Sequence, residues 1–189
     1  MEHLQEAAVA LVIGTLFALA GARVLKHVRA DFVHEGALKP GTLVQLIALF
    51  CFDAVLRTAY IAAFAESAAP AVLGLTVGVL GLAVTVFAAT AQAHAVRRHG
   101  RRAGAHAAGG PYRYSRNPHI LGYLAAMLGY TLLWPTVAGL IQLAVLALLL
   151  HRWVKIREDH LALIHGEVYR YYRGRTGRYV GRYMGRQKR

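Results

Sequence analysis

The sequence predicts an all-α, polytopic membrane protein with five transmembrane helices. Three observations carry this. Of 189 residues, 57% are hydrophobic and 16% charged, with a mean hydropathy of +0.40, which is too apolar for an ordinary soluble domain. The apolar residues gather into five runs. The 22 Lys and Arg residues lie almost entirely on alternate connections between those runs, the asymmetry of a chain whose basic loops stay in the cytoplasm.

The first run is Ala7–Val24. The second, Gly41–Phe64, contains Asp53 and Arg57. The third, Ala71–Ala93, has few polar atoms beyond its threonines. The fourth and fifth, Pro118–Trp134 and Thr136–Trp153, fall slightly short of the roughly 20 residues that a ~30 Å hydrocarbon layer requires. Trp134-Pro135 between them reads as a tight hairpin turn at one interface, and Trp153 marks the other.

Charge sets the expected orientation. Arg23, Lys26, Arg29 and Lys39 flank the first connection, and Arg97, Arg98, Arg101, Arg102, Arg113 and Arg116 fill the third. Eleven further basic residues follow from Arg152 onward. The N-terminus, the 65–70 loop and the 134–136 turn carry none. This pattern predicts an external N-terminus, a cytoplasmic C-terminus and an odd number of spans. No cleavable signal is expected, because Glu2 and Glu6 precede the first run and no Lys or Arg does. The single Cys51 excludes an internal disulfide and a cysteine zinc site. The net charge of +13 suits anionic lipid headgroups in such a chain.

Asp53 and Arg57, four residues apart, share one helix face inside the second run. They read as a self-neutralising pair that fixes helix packing, or as a pair whose Arg57 lines a lipid-substrate cavity. Beyond Trp153, Leu161, Ile164, Val168 and Tyr172 form one amphipathic stripe that continues the helix into the cytoplasm. Gly174 and Gly177 are expected to end it. The chain is thus read as one membrane domain over 1–189. It comprises a three-helix part at 7–93, a cofactor-binding part at 97–173 and a basic tail at 174–189. That tail, alternating Gly, Arg and Tyr, is expected to face lipid or stay disordered.

The chemistry concentrates in Gly110 to Tyr123. Asn117 suits an N-cap and Pro118 the first helical position. The helix that starts here directs its positive end toward Tyr112 and Arg116, an anion-binding arrangement. Because the fourth and fifth segments form a hairpin, Asn117 and Glu158 return to the same interface.

Gly110-Pro111-Tyr112-Arg113-Tyr114-Ser115-Arg116-Asn117-Pro118, followed by Ile120-Leu121-Gly122, resembles the signature of the isoprenylcysteine carboxyl methyltransferase / phospholipid methyltransferase family. These are integral-membrane enzymes that use S-adenosylmethionine. The family often carries His at the Asn117 position and Tyr at the Ile120 position. A second stretch, Arg157-Glu158-Asp159 with Leu161, Gly166, Tyr169 and Tyr172, resembles the family's acidic pair with its spaced leucine, glycine and tyrosines. Glu158 belongs to the pair in either register, with Arg157 or with Asp159 beside it. The family places a proline where Gly181 follows Arg178-Tyr179-Val180. The resemblance extends from Gly110 to Arg178.

It implies methyl transfer from S-adenosylmethionine to a lipid or lipid-linked acceptor, either an isoprenylcysteine-type carboxylate or a phospholipid amine. It places the cofactor against Tyr112, Arg116, Asn117, Pro118, His119, Gly122, Glu158 and Asp159, with Arg116 and His119 serving the acceptor. It involves membrane lipids and a lipid or prenylated acceptor; neither a metal nor nucleic acid is expected from the residues themselves. The chemistry suits these residue types. A carboxylate accepts both ribose hydroxyls, the Tyr112 ring stabilises a sulfonium, and helix-start N–H groups hold a carboxylate. An NADPH-dependent membrane reductase of the sterol-reductase type is the alternative, and it requires additional arginines at the site for a 2′-phosphate. A His-box oxygenase built on His94, His99, His106 and His119 lacks the adjacent histidines such sites use. A membrane adaptor acting through the basic tail is a further possibility.

Overall fold

The computed structural model describes residues 2–64, 76–87, 90–91, 110–133 and 135–181. His94, His99, His106, the arginines at 97–102, Trp134 and the tail beyond Gly181 lie outside the described residues. The elements are α1 (Glu2–His34), α2 (Pro40–Phe64), α3 (Thr76–Phe87), α4 (Pro118–Leu133) and α5 (Val137–Arg175), with a 3-10 turn at Gly110–Arg113. No strand occurs among the described residues. Helices α1, α2 and α5 are each long and apolar enough to cross a membrane. The fifth apolar run, short by itself, is therefore the first part of a 39-residue helix.

The chain divides into two compact units, Met1–Thr76 with Met127–Ile156, and Val77–Ala126 with Arg157–Arg189. In the first, α1 and α2 form a hairpin. Pro40 opens α2, where its missing N–H costs nothing, and Asp31 Oδ2 accepts the Lys39 N–H at 2.9 Å. Phe17 stacks on Phe52 with ring centroids 6.3 Å apart, and Leu146, Leu150 and Val154 of α5 complete the buried core with Val28. Leu11, Leu16, Leu19, Val44, Ile47 and Val55 point outward, an arrangement that a lipid solvent tolerates and water does not.

Helix α5 starts from Thr136, whose Oγ1 accepts the Gly139 N–H at 2.9 Å, an N-cap. Glu6 Oε1 accepts the Ala138 N–H at 2.9 Å. A carboxylate thus sits at the positive end of the helix dipole.

The intramembrane charges lie in this unit. Asp53 is fully buried and Arg57 is 3% exposed. Asp53 Oδ2 accepts from Arg57 Nε at 3.0 Å, and Oδ1 accepts from Gln142 Nε2 at 2.9 Å. Arg57 Nη1 donates to Thr131 Oγ1 at 3.1 Å. The pair therefore ties α2 to both α4 and α5. Arg57 Nη2 and Gln142 Oε1 make no hydrogen bond with the described residues.

In the second unit α3 lies against α4 backbone to backbone. A Cβ on Gly122 would stand 2.6 Å from the Thr85 nitrogen, so no side chain fits at this crossing. Gly122, grouped by sequence with the cofactor residues, thus lies at this close helix crossing. Within α5, Gly166 breaks the helical path at φ 52°, ψ −128°, a conformation that any Cβ disfavours. The expected unbroken stripe is divided there. Ile164 and Val168 are exposed, while Tyr169 is buried.

Candidate functional site

The 110–118 stretch folds as two tight turns leading into a helix. The 3-10 turn at Gly110–Arg113 is followed by Tyr114 N–H and Ser115 N–H, both donated to the Pro111 carbonyl at 3.2 Å. Ser115 Oγ accepts the Asn117 N–H at 3.1 Å. The Asn117 carbonyl then accepts from Leu121 at 3.2 Å, the first intrahelical bond of α4. These bonds fix Tyr112, Ser115 and Asn117 in the interior and leave the Asn117 side chain available for other partners.

That side chain meets Glu158. Asn117 Nδ2 donates to Glu158 Oε1 at 3.1 Å and to the Arg178 carbonyl at 3.2 Å. Glu158 is only 2% exposed. Its other oxygen, Oε2, accepts from Arg178 Nε at 3.0 Å and lies 3.3 Å from Arg116 Nη1. The Arg116 side chain is 8% exposed. Its Nε and Nη1 make no hydrogen bond with the described residues, so the Nη1 contact is an ion pair without hydrogen-bond geometry. A single buried carboxylate thus faces two guanidiniums. Burying charges this way is tolerable only when the partners compensate them, and here positive charge is in excess.

A third arginine borders the cluster. Arg157 Nη1 lies 3.0 Å from His119 Nε2. A guanidinium can only donate, so Nε2 carries the lone pair and the proton sits on Nδ1. Nδ1 in turn lies 3.3 Å from the Tyr112 hydroxyl oxygen. Hydrogen-bond chemistry thereby assigns the tautomer of His119 as the neutral Nδ1–H form. Burial pushes the Tyr112 phenol above its ordinary value, against the opposing pull of Arg157, so Tyr112 is a neutral ring and not a phenolate base. Tyr172 Oη donates to the Tyr112 carbonyl at 2.8 Å, pinning the turn to the far end of α5.

The structure therefore gathers Tyr112, Arg116, Asn117, His119 and Glu158. Pro118 is buried at the start of α4, and Asp159 is exposed on α5. Of the two registers of the acidic pair, the residue within the cluster in both is Glu158, and Arg157 is the neighbour that reaches His119. Arg178 joins from a segment that sequence reading assigns to the tail. Residues 176–181 are hydrogen-bonded to the 114–117 turn, with Arg116 N–H donating to the Gly177 carbonyl at 3.0 Å and Gly181 N–H to the Tyr114 carbonyl at 3.1 Å. The sequence signal available for this was the place of Arg178 in the family motif, since its partners lie 20 and 61 residues away.

The donor set fits an S-adenosyl cofactor. Glu158 offers the carboxylate that a ribose diol requires. Tyr112, in the preceding 3-10 turn, sets its ring near His119 at the start of α4.

No curated protein and no solved structure matches the chain. The family model for phospholipid methyltransferase matches residues 71–168. The match begins well before Gly110, taking in α3, and ends just past the Gly166 break. Because it spans just over half of the chain, and takes in Gly110–Gly122 and Glu158, the chain belongs to the phospholipid methyltransferase family, membrane methyltransferases that act on lipids.

Proposed function

We propose that the chain transfers a methyl group from S-adenosylmethionine to the headgroup amine of a phospholipid. The observation that supports this most directly is the Glu158 cluster, one buried carboxylate beside donor-only leftovers on Arg116. In this reading Glu158 accepts the ribose hydroxyls, with Asn117 holding its Oε1 in place. Tyr112, Pro118 and the start of α4 border the sulfonium end, with Gly122 supporting them through its packing on α3. Bound there, S-adenosylmethionine supplies an electrophilic methyl group on sulfur.

The acceptor's phosphate is assigned to Arg116, because a guanidinium matches phosphate oxygens bidentately. An amine acceptor must be neutral to attack, and His119 is the adjacent proton acceptor. Its lone pair at Nε2 is held by Arg157, so His119 accepts a proton only when Arg157 turns to another acceptor, such as the same headgroup phosphate. In this reading Asp159 remains on the solvated exit of α5.

The membrane arrangement proposed with this activity has five spans, an external N-terminus and a cytoplasmic active site, following the distribution of basic residues. The cofactor enters from the cytoplasm, since its charges do not cross hydrocarbon. The lipid reaches the site sideways, since each CH₂ exposed to water costs about 0.8 kcal/mol.

Arg116→Ala tests the assignment in purified protein in lipid nanodiscs. Methyl transfer to phospholipid is expected to fall at least tenfold, the scale of a lost charged hydrogen bond, with the affinity for S-adenosylhomocysteine unchanged. Loss of cofactor binding with an unchanged apparent affinity for the lipid would move Arg116 into the nucleoside pocket.

A further inference from the structure

The segment Thr176–Gly181 occupies a position that the cofactor reading does not use. Backbone bonds hold it. Arg116 N–H donates to the Gly177 carbonyl at 3.0 Å, Gly181 N–H to the Tyr114 carbonyl at 3.1 Å, and Gly177 N–H to the Gly181 carbonyl at 2.6 Å. Asn117 Nδ2 adds a bond to the Arg178 carbonyl. Apolar packing is limited, since Val180 is 81% exposed, Thr176 and Gly177 are buried, and Arg178 and Tyr179 are half-buried. A segment held by a few hydrogen bonds, with little apolar burial, belongs to the parts of a protein that open at low cost.

The side chain of Arg178 gives that opening a chemical meaning. A carboxylate offers about four lone-pair sites, two on each oxygen. Glu158 Oε1 uses one for Asn117 and keeps another. Oε2 accepts one hydrogen bond, from Arg178 Nε at 3.0 Å, and is crowded by Arg116 Nη1, an ion pair at 3.3 Å without a hydrogen bond. Two adjacent ribose hydroxyls donate to a carboxylate one oxygen each, so they need a site on Oε2. Arg116 is buried at 8% exposure, whereas Arg178 is 29% exposed and sits on the segment just described. Arg178 is the partner that can leave.

We propose that Thr176–Gly181 is a latch on the nucleoside site, in which Arg178 holds the Glu158 oxygen that a ribose diol requires and releases it when the diol binds. This rests on the reading of Glu158 as the ribose acceptor. Opening the latch is then part of the cost of cofactor binding, and Arg178 sets that cost without touching the methyl group. The exchange replaces a charged donor by two neutral ones and frees a guanidinium at the mouth of the site.

The test is calorimetric titration of the full chain in nanodiscs with S-adenosylhomocysteine, which binds without turnover, on the native protein and on Arg178→Ala, Arg178→Lys and Glu158→Gln. Arg178→Ala is expected to bind about tenfold more tightly, because a competing charged hydrogen bond is removed, and to associate faster. Arg178→Lys should fall between it and the native protein. Hydrogen exchange on the native protein gives a second reading that needs no variant. The amides of 176–181 should exchange faster with ligand bound. Weaker binding by Arg178→Ala, an unchanged affinity, or slower exchange at 176–181 on ligand binding would each overturn the latch. Undiminished binding by Glu158→Gln would instead overturn the ribose assignment beneath it, whatever Arg178 does.

Discussion

Two buried polar clusters in this chain differ in how their charges close. Around Asp53, one carboxylate meets one guanidinium, and a neutral amide and a neutral hydroxyl complete the set. Around Glu158, one carboxylate meets Arg116 and Arg178. The unmatched atoms differ in kind as well. The first cluster leaves a donor, Arg57 Nη2, and an acceptor, Gln142 Oε1, whereas the second leaves two donors, both on Arg116. A donor and an acceptor together can be satisfied by a single water. Two donors on an excess cation call for acceptors, and the net positive charge favours anionic ones. The comparison sets a cluster whose charges cancel beside one that keeps a positive charge in excess.

Removing the Asp53 carboxylate should have the largest effect. Asp53→Ala leaves Arg57 buried without its counter-charge, and breaking such a pair costs about 3–5 kcal/mol. Thermal unfolding in detergent should show a large drop. A companion variant, Asp53→Leu with Arg57→Met, replaces the pair with apolar groups of similar size and should recover most of that loss. If the double variant is stable but cannot methylate lipid, the first cluster is more than a packing device and the contrast breaks.

Glu158→Gln comes next. It keeps the shape and removes the charge, and should weaken S-adenosylmethionine binding by about 1.5–3 kcal/mol. Its unfolding temperature should change less than that of Asp53→Ala. An equal loss of stability would place Glu158 with Asp53 among structural groups. The smallest effect is expected from Tyr112→Phe. It removes a 3.3 Å contact to His119 but keeps the ring, so the change in cofactor affinity should stay within about 0.5–1.5 kcal/mol. A larger loss would mean that the hydroxyl, and not the ring face, contacts the ligand.

Much of the helical architecture was legible because hydropathy and charge act over long windows. The Asp53–Arg57 pairing followed from four-residue spacing alone, whereas its ties to Thr131 and Gln142 depend on tertiary packing 74 and 89 residues away. Asn117 and Glu158 are brought within 3.1 Å across 41 residues, a meeting that the α4–α5 hairpin foreshadows. The Gly166 break was not legible. A lone glycine in a helical pattern costs only about 1 kcal/mol against alanine, so it does not by itself announce a change of path. Arg178 was marked only by its place in the family motif, and its contact with Glu158 was not legible for a different reason. Its glycine-rich surroundings read as tail composition, and composition says nothing about a backbone pairing with Tyr114 and Arg116.

The contact between Glu6 and the Ala138 amide spans 132 residues. Its two halves therefore leave the ribosome at different times. At about 5–20 residues per second, roughly 7 to 26 s separate them. During that interval the first helix is already made while the amide that its carboxylate will accept does not yet exist. The first turn of α1 consequently reaches its final setting only after the last long helix has been synthesised. The first turn of α1 is thus among the last parts of this helix set to settle, and a fragment stopping short of α5 lacks the Ala138 amide.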